Sequence, residues 1–391
     1  MFLTKYSTWS STILFLVAGL FLPSCNLGDE VPVDPPDPEP NQEGVLYDVA
    51  GVAGEAGFSG DGGLALDAHL SSPQDVTVSI SGDIYVVDTD NNCIRKIDSN
   101  GVIVRYIGTG NAGDGTTGMA TQVDLEKPSS MTIDRNGGMW ISSWINQKIK
   151  FVDPLSLAVS VPVGTSQGFS GDGGPADQAQ LDFPSSVLFD IYDDMYISDQ
   201  ANQRIRKVEA ASMNISTFAG NGQKGFLDGP ADAAMFSFPS GIGAVPGGRI
   251  AWGHHPYGVL IADTENHRIR FINLETLEVF TVIGTGQPGY FGDNGPARNA
   301  QINYPTDIYY TSEDHDLFFA DTRNHVIRKM DAIGNITTIV GTGVAGSSPD
   351  GTPATTAKLN SPCGLFFHEA TRTLYIADTG NHQIKRVIIK R

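Results

Sequence analysis

The sequence is poor in cysteine and in the motifs of enzymes. It contains three cysteines in 391 residues, and 18% of its residues are charged. No cysteines have the spacing of a zinc site, and no serine stands in a GxSxG elbow with a histidine and an aspartate in the required order. Apart from Cys25 the chain has only two cysteines, and one pair does not make a disulfide scaffold. We therefore expect Cys93 and Cys363 to be separate thiols. These absences leave little support for an enzyme.

Long hydrophobic runs are also scarce. The run ILFLVAGLFL follows Lys5 and ends before Cys25, which is too short for a mature membrane span but has the layout of a signal peptide. The stretch LPSC, ending at Cys25, resembles the bacterial lipobox, in which the cysteine is lipidated and becomes the mature N-terminus. We therefore predict a lipoprotein signal peptide over residues 1–25.

Residues 26–44 form a second segment outside the fold. They contain five prolines and six acidic residues with no large apolar cluster, so they predict an extended tether of about 50 Å. Early acidic residues in this segment are similar to surface-export signals of Bacteroidetes lipoproteins. We expect a lipid-anchored protein of the cell envelope, at the outer membrane or the cell surface.

The chain is strongly acidic. Its formal net charge is −19, and removal of Lys5 with the signal peptide brings this to about −20. A surface of this sign repels phosphate backbones, so we expect no nucleic-acid partner and membrane contact through the lipid alone.

Beyond residue 44 the chain repeats itself six times. The stretch VVDTDNNCIRKI has five counterparts, spaced 55 to 64 residues apart. Their anchor positions are Asp88, Ser143, Asp199, Asp263, Asp321 and Asp378. Ahead of each anchor a proline follows an alanine by eight residues in every copy. Such a period indicates one structural unit per copy.

Each unit predicts four short strands. An apolar segment follows the proline, an alternating segment ends at the DTxN turn, and two more strands follow. Four strands per unit are typical of a propeller blade, so residues 45–391 predict an all-β fold: a six-bladed β-propeller of four-stranded antiparallel blades. The last unit lacks its fourth strand, and we expect VLYDVAG at 45–51 to supply it and close the ring.

The units YVVDTDNNCIRKID and LYIADTGNHQIKRV resemble the NHL repeat, and this resemblance covers residues 45–391. The second copy departs from it, with Ser143 in place of the aspartate and no histidine, so we expect a differently capped turn there. The resemblance implies that His267, His325 and His382 occupy the histidine position of the repeat motif. The basic residue of each third strand is expected to pair with carboxylates of its blade.

A glycine-rich loop precedes each inner strand, as in GFSGDGG at 57–63 and 168–174. No helix or lysine follows for a phosphate loop, and one acid per loop is too few for an EF-hand. We expect a turn in which the aspartate bonds the loop's own amides. A Ca²⁺ ion bridging two loops stays open as an alternative; otherwise no cofactor is predicted. The candidate loop residues are Asp61, Asp172, Asp293 and Asp350.

The residues after each proline predict a ligand site at the mouth of the central channel. The candidates are Gln74, Asp75, Ser130, Ser186 and Asp307. Converging oxygens suit a hard cation or a sugar, and any metal would use Asp75 and Asp307. The alternative is that small polar residues simply fit a narrow, water-filled channel.

An eight-residue excess in the fourth unit, GRIAWGHHPYG, predicts a contact loop on the face opposite the glycine loops. Its candidate contact residues are Trp252, His254, His255 and Tyr257. We expect the partner to bind the glycine-loop face, with this insertion as the rival surface.

These patterns favour a monomeric propeller that binds a protein or a glycan. The alternative is a metal-dependent hydrolase or lyase with its site in the channel, because six-bladed relatives include gluconolactonase-like hydrolases and the amidating lyase. Neither metal-ligand set can be placed on this chain. An RNA-binding propeller, as among animal NHL proteins, is opposed by the acidic charge and the lipobox.

Overall fold

The computed structural model describes residues 42–245, 248–250, 253–255 and 257–390. It confirms an all-β fold of six antiparallel blades, and in the first five the inner strand comes first along the chain and the outer strand last. Alternating apolar residues after each proline produce the inner two strands, and the second strand is almost completely buried in every blade.

The strands of the first three blades follow the predicted units. They are Pro73–Val78, Ile84–Asp88, Cys93–Ile97 and Ile103–Ile107; Pro128–Ile133, Met139–Ser143, Lys148–Val152 and Ala158–Val163; Pro184–Phe189, Met195–Asp199, Arg204–Val208 and Ile215–Ala219.

The last three blades continue the pattern, and the sixth takes its outer strand from the beginning of the chain. They are Pro239–Val245, Gly258–Asp263, Arg268–Asn273 and Glu278–Ile283; Pro305–Tyr310, Leu317–Asp321, Val326–Met330 and Asn335–Val340; Leu365–His368, Thr373–Asp378, Gln383–Ile388 and Val45–Ala50.

Four blades carry a fifth, two-residue edge strand from the crossing loop that leads into them. These are Gly118–Met119, Gly229–Pro230, Gly295–Pro296 and Thr352–Pro353. In five loops a short 3-10 helix follows: Ala65–Asp67, Ala120–Gln122, Ala176–Gln178, Ala297–Asn299 and Ala354–Thr356. The repeated alanine is buried in every copy, and its carbonyl accepts the amide of the glycine that ends the preceding outer strand, as Ala65 does from Gly51 over 3.0 Å. This explains the constant alanine–proline spacing.

The two faces of the ring carry different loops. The turn face bears the DTxN turns and the crossing loops. Its 3-10 turns are Thr89–Asn91, Thr264–Asn266, Thr322–Asn324 and Thr379–Asn381. The hairpin face, opposite, bears the connections between inner and second strands, including a 3-10 turn at Glu369–Thr371 and the added hairpin of Gly248–Ile250 with Gly253–His255.

The hydrophobic core lies between successive blades. Val87 of the first blade, for example, packs in one cluster with Met131 and Ile141 of the second. Five further clusters repeat this arrangement around the ring. Each blade therefore depends on its neighbours for burial, as expected of a repeat fold.

Hydrogen bonds at the NHL turns also join the blades. The ring nitrogen Nδ1 of His382 accepts the amide of Ser72 over 3.0 Å, and His267 and His325 bond the next blade in the same way. Asn92, Gln147 and Gln203 use side-chain oxygens where histidine is missing. All six residues that donate these amides stand before a proline and have positive φ: Ser72, Lys127, Phe183, Phe238, Tyr304 and Ser361. The histidines are thus structural, as the repeat predicted.

The ring is closed by the pairing predicted from the missing strand. Val45–Ala50 pairs antiparallel with Gln383–Ile388, with Leu46 opposite Val387 and Ala50 opposite Ile384. The chain enters the ring at Val45 and leaves it beyond Ile388, both at the hairpin face. Within the part of the chain that is described, no helix combines the length and hydrophobicity needed to cross a membrane.

Candidate functional site

The central channel opens on the turn face into a cavity of about 230 Å³. All five candidates predicted from the positions after the prolines line it: Gln74, Asp75, Ser130, Ser186 and Asp307. They come together because each inner strand begins at the mouth and turns its first residues toward the ring axis. The strands approach so closely that a Cβ on Gly364 would lie 2.7 Å from Cα of Asp75.

The hydroxyl groups of the wall are tied to the neighbouring blades. The hydroxyl of Ser129 donates to the carbonyl of Ser185 over 3.0 Å, and that of Ser185 donates to the carbonyl of Ser240 over 3.3 Å. The hydroxyl of Thr306 donates to the carbonyl of Cys363 over 2.8 Å. Each bond consumes a hydroxyl hydrogen and leaves an oxygen lone pair for other donors.

The two carboxyl groups bridge blades by a related bond. Asp75 accepts the amide of its own neighbour Val76 over 2.7 Å and the amide of Met131, in the second blade, over 3.0 Å. Asp307 accepts the amide of Leu365, in the sixth blade, over 2.9 Å. These bonds fix both carboxyl groups at the channel wall.

Burial controls the protonation of this pair. Desolvation raises the pKa of Asp307 to about 7. It also raises the pKa of Asp75 well above its usual range, and the nearby charge of Asp307 raises it further. Simultaneous ionisation of Asp75 and Asp307 is unfavourable, because it would place two desolvated negative charges near each other without a compensating cation.

Four lining residues were not predicted from the sequence: Trp144, Gln200, Thr264 and Tyr304. Trp144 and Gln200 stand where other copies have the threonine of the DTxN turn, and the Trp144 indole donates to Oε1 of Gln200 over 3.3 Å. In the other copies that threonine is structural; Thr89, for example, donates to the carbonyl of Pro128 over 2.9 Å. The sequence signal that could have identified Trp144 and Gln200 is that these two adjacent copies lack the threonine of the repeated turn.

A second cavity, of about 410 Å³, opens on the hairpin face. Asp75 and Asp307 line this cavity too, so they mark the narrow part of the channel. Beyond them the wall becomes apolar and aromatic, with Leu188, Tyr309 and Phe366. The channel is thus polar at the turn face and apolar at the hairpin face.

The crossing-loop aspartates have a different role from the one predicted. Asp61, Asp172 and Asp293 do not bond their own loops but form ion pairs with the third-strand arginines Arg95, Arg206 and Arg328, at 2.8, 2.6 and 2.7 Å. Buried guanidinium groups need several acceptors, and the loop bends over the strand to supply one. The predicted pairing of third-strand bases with blade carboxylates is confirmed.

Each of these arginines also meets the anchor aspartate of its own blade. Arg206 donates to Oδ2 of Asp199 over 3.1 Å, and both side chains are fully buried. In the second blade, where Ser143 replaces the aspartate, its hydroxyl instead donates to Oδ1 of Asn146 over 2.8 Å, so the altered turn is confirmed. Lys150 there pairs with Asp114.

The aromatic residue of the glycine loop covers the same guanidinium. The ring centroid of Phe169 lies 3.9 Å from Cζ of Arg204 and 4.9 Å from Cζ of Arg206. Phe58 and Phe226 contact the equivalent arginines of their blades. The stretch GFSGDGG therefore folds as a lid whose phenylalanine and aspartate both engage the blade's buried arginine.

Asp350 is the exception among the loop candidates, since its Oδ1 accepts the amide of Asp48 over 2.6 Å. Each of the four loop carboxylates is thus bound to a cation or an amide of a different blade, so the four do not converge on one site. Among the described residues, no group of three or more histidine, cysteine or acidic side chains is arranged to hold a metal ion.

The insertion of the fourth blade projects at the hairpin face, as predicted. Trp252 lies outside the described residues. His254 and His255 lie in the second strand of the added hairpin. Tyr257 is 40% exposed and lines a groove of about 530 Å³ together with Ile191 and Tyr192.

The two cysteines are free and separate, as expected. Cys93 is buried in the third strand of the first blade, whereas Cys363 lines the mouth cavity. Burial raises the pKa of Cys363 to about 11, so its thiol stays protonated and is a poor nucleophile.

The sequence is similar to proteins built from NHL repeats. A family model described as the teneurin NHL domain matches residues 51–113. The chain is 28% identical over 345 residues to NHL repeat-containing protein 2 of Bos taurus, covering 81% of this chain and 46% of that protein. It is 27% identical over 352 residues to the protein SUPPRESSOR OF QUENCHING 1, chloroplastic, of Arabidopsis thaliana, covering 87% and 27%. The chain spans less than half the length of these curated relatives.

Solved structures share the fold at low sequence identity. An auxiliary nutrient binding protein from Bacteroides thetaiotaomicron has a TM-score of 0.63 and 14% identity, covering 88% of this chain and 75% of that one. A gluconolactonase from Xanthomonas campestris has a TM-score of 0.55 and 9% identity, covering 88% and 89%. With the repeat and its relatives, these findings support an NHL-repeat β-propeller.

Proposed function

We propose that this six-bladed propeller, whose repeats are similar to those of NHL proteins, acts as a binding module for a protein or a glycan. The observation that carries the proposal is the mouth cavity on the turn face. Polar side chains from five blades converge there with Cys363 of the sixth, and Trp144 and Gln200 replace the threonine that other copies have at this position. Convergent polar groups with an aromatic wall are typical of ligand sites.

The cavity favours binding over catalysis. Among the described lining residues the one thiol, Cys363, has a raised pKa, and no histidine is present to activate a serine. The two carboxyl groups offer acid–base chemistry, but they accept backbone amides and are not hydrogen-bonded to the described hydroxyl groups of the lining. This is the pattern of a recognition site.

A screen of the soluble domain, residues 42–391, on a glycan array and in pull-down experiments tests the proposal. A ligand whose capture is lost in Trp144→Ala but retained in Glu43→Ala would support binding at the mouth. Glu43 is exposed at the start of the ring and serves as the matched control. Capture unaffected by Trp144→Ala would place the site elsewhere, with the groove beside Tyr257 next to be tested.

We also propose that residues 1–44 place the propeller at the cell envelope. The h-region, the lipobox cysteine and the acidic tether support a lipid anchor at Cys25, outside the described residues. The chain enters the ring on the hairpin face, opposite the mouth cavity.

Replacing Cys25 with serine is expected to release the protein from the membrane fraction without changing its thermal unfolding. The reason is that the tether separates the anchor from the fold. Fractionation of cells followed by thermal denaturation of the released protein measures both effects, with Ser24→Ala as the control. Continued membrane association of Cys25→Ser would contradict the lipid anchor.

The second candidate function is a metal-dependent hydrolase or lyase with its site in the channel. The two carboxyl groups at the narrow part of the channel favour it, because carboxylate oxygens suit hard cations. Elemental analysis of the purified protein decides between the two. A stoichiometric ion that disappears in the Asp75→Ala, Asp307→Ala double variant would favour the enzyme; a metal-free protein that still binds its ligand would favour the binding module.

A further inference from the structure

Five hydroxyl groups of the mouth cavity are available to a ligand as hydrogen-bond acceptors. The hydroxyl hydrogens of Ser129, Ser185 and Thr306 point to carbonyl oxygens of the next blade. Those of Ser130 and Thr264 also point to protein oxygens. What these five groups offer to a ligand is therefore oxygen lone pairs, which require a donor-rich partner.

The cavity also has an unbalanced charge. Asp75 and Asp307 line it, and none of the described lining residues is a lysine, arginine or histidine. The nearby Arg323 stacks on the ring of Tyr304 with Cζ 3.9 Å from the centroid but does not line the cavity. Buried carboxylates without a cation are costly, so a ligand that brings positive charge gains affinity.

Two aromatic side chains, Trp144 and Tyr304, complete the wall. Trp144 is held in place by its indole hydrogen bond to Gln200 and by Phe183, whose ring centroid lies 5.0 Å from its own. A fixed indole attracts cations and packs against the C–H face of a sugar ring. Because Trp144 lies beside hydrogen-bond acceptors and carboxyl groups, one site offers contacts for both a cation and a sugar ring.

Building on the binding function proposed above, we propose that the mouth cavity recognises the protonated amine of an amino sugar at the end of a glycan. An ammonium group has three donors and no acceptor, which matches the acceptor-rich wall and the two carboxyl groups. Sugar hydroxyl groups can donate to the remaining serine and threonine oxygens. The cavity of about 230 Å³ suits one sugar unit better than a long chain.

The test compares deacetylated chitobiose, which carries free amines, with N,N′-diacetylchitobiose by titration calorimetry of the full chain in detergent. We expect the deacetylated disaccharide to bind about tenfold tighter or more, because the charged hydrogen bonds are lost on acetylation. The Asp75→Asn, Asp307→Asn variant should remove that difference while keeping acceptors for Met131 and Leu365. Asp67→Asn, at an exposed site in a crossing loop, is the control.

The outcomes separate this inference from the general binding function. Equal or tighter binding of the acetylated disaccharide, lost in Trp144→Ala, would overturn the amine preference and leave a glycan-binding propeller. Tighter binding of a lysine peptide or of 1,4-diaminobutane would overturn the sugar assignment. Binding of neither disaccharide would also overturn the inference. Thermal unfolding of each variant shows whether a loss reflects misfolding.

The pH dependence provides a further expected result. Burial raises the pKa of both carboxyl groups, that of Asp307 to about 7, so Asp307 loses its charge as pH falls through about 7. The other titratable groups of the described lining, Tyr304 and Cys363, stay neutral in this range because burial raises their pKa as well. The ratio of the affinities of the wild type and the double asparagine variant for the deacetylated disaccharide should therefore rise from about pH 5.5 to about pH 7.5, because titration of the ligand amine affects both proteins equally. A ratio that does not change with pH would contradict the role of the carboxyl groups.

Discussion

A protein lacking residues 45–51 is expected to unfold at a much lower temperature than the intact chain and to self-associate. This segment contains the outer strand of the sixth blade, and its Leu46 and Ala50 are fully buried. Loss of the Leu46 side chain alone should cost about 2–5 kcal/mol, and the deletion also removes the ladder with Gln383–Ile388. The exposed third strand then offers unpaired backbone groups to other chains.

Thermal denaturation and light scattering of the deletion variant measure these two effects. Leu46→Ala is the milder companion, expected to lower stability without aggregation, and Glu43→Ala is the exposed control. A deletion variant that melts like the intact protein and stays monomeric would mean that the ring does not depend on this strand.

Arg206→Met should destabilise the protein by about 3–5 kcal/mol, the second large effect we expect. The guanidinium of Arg206 donates to carboxyl oxygens of Asp199 and Asp172 and to carbonyl oxygens of Ser170 and Gln180. Methionine fills similar volume but leaves Asp199, which is fully buried, without its cation. Chemical denaturation of both proteins measures the loss.

The pH dependence of that loss distinguishes a missing charge from poor packing. Burial raises the pKa of Asp199 to about 6 even with Arg206 present, and removal of the cation raises it further. The folded variant therefore binds a proton that the unfolded chain releases, so its deficit should shrink as pH falls from about 7.5 to about 5. A deficit independent of pH would indicate a packing defect instead.

Asp172→Asn is the matched control for the same network. Its carboxylate is partly exposed and accepts from Arg206 and from the Thr217 hydroxyl. We expect a loss of about 1 kcal/mol or less, since solvent screens this pair and Asp199 remains.

The fold was predictable because the repeat encodes it redundantly. Six alanine–proline pairs mark the crossing loops and the inner strands, and the missing fourth strand of the last unit indicated closure by Val45–Ala50. The channel positions followed from the same register, which explains why Asp75 and Asp307 were found at the mouth.

Contacts between distant segments were not predictable in the same way. Asp61 lies 34 residues before Arg95, so nothing local in the loop distinguishes a carboxylate that bonds its own amides from one that reaches a neighbouring strand. Trp144 and Gln200 come from two neighbouring blades and contact each other. A repeat pattern is defined by the residues that the copies share, so it does not include either of them. Their role becomes visible only when the blades are placed side by side.

The pairing of Val45–Ala50 with Gln383–Ile388 has a consequence for the order of events during synthesis. Within the ring, Val45–Ala50 is synthesised first but belongs to the last blade, so it has no partner until Gln383–Ile388 has been made. Any chain whose synthesis stops before this strand keeps an open edge and an incomplete core between its first and last blades. Such chains should be degraded rapidly, which makes the pairing of the first and last strands of the ring a checkpoint for its completion.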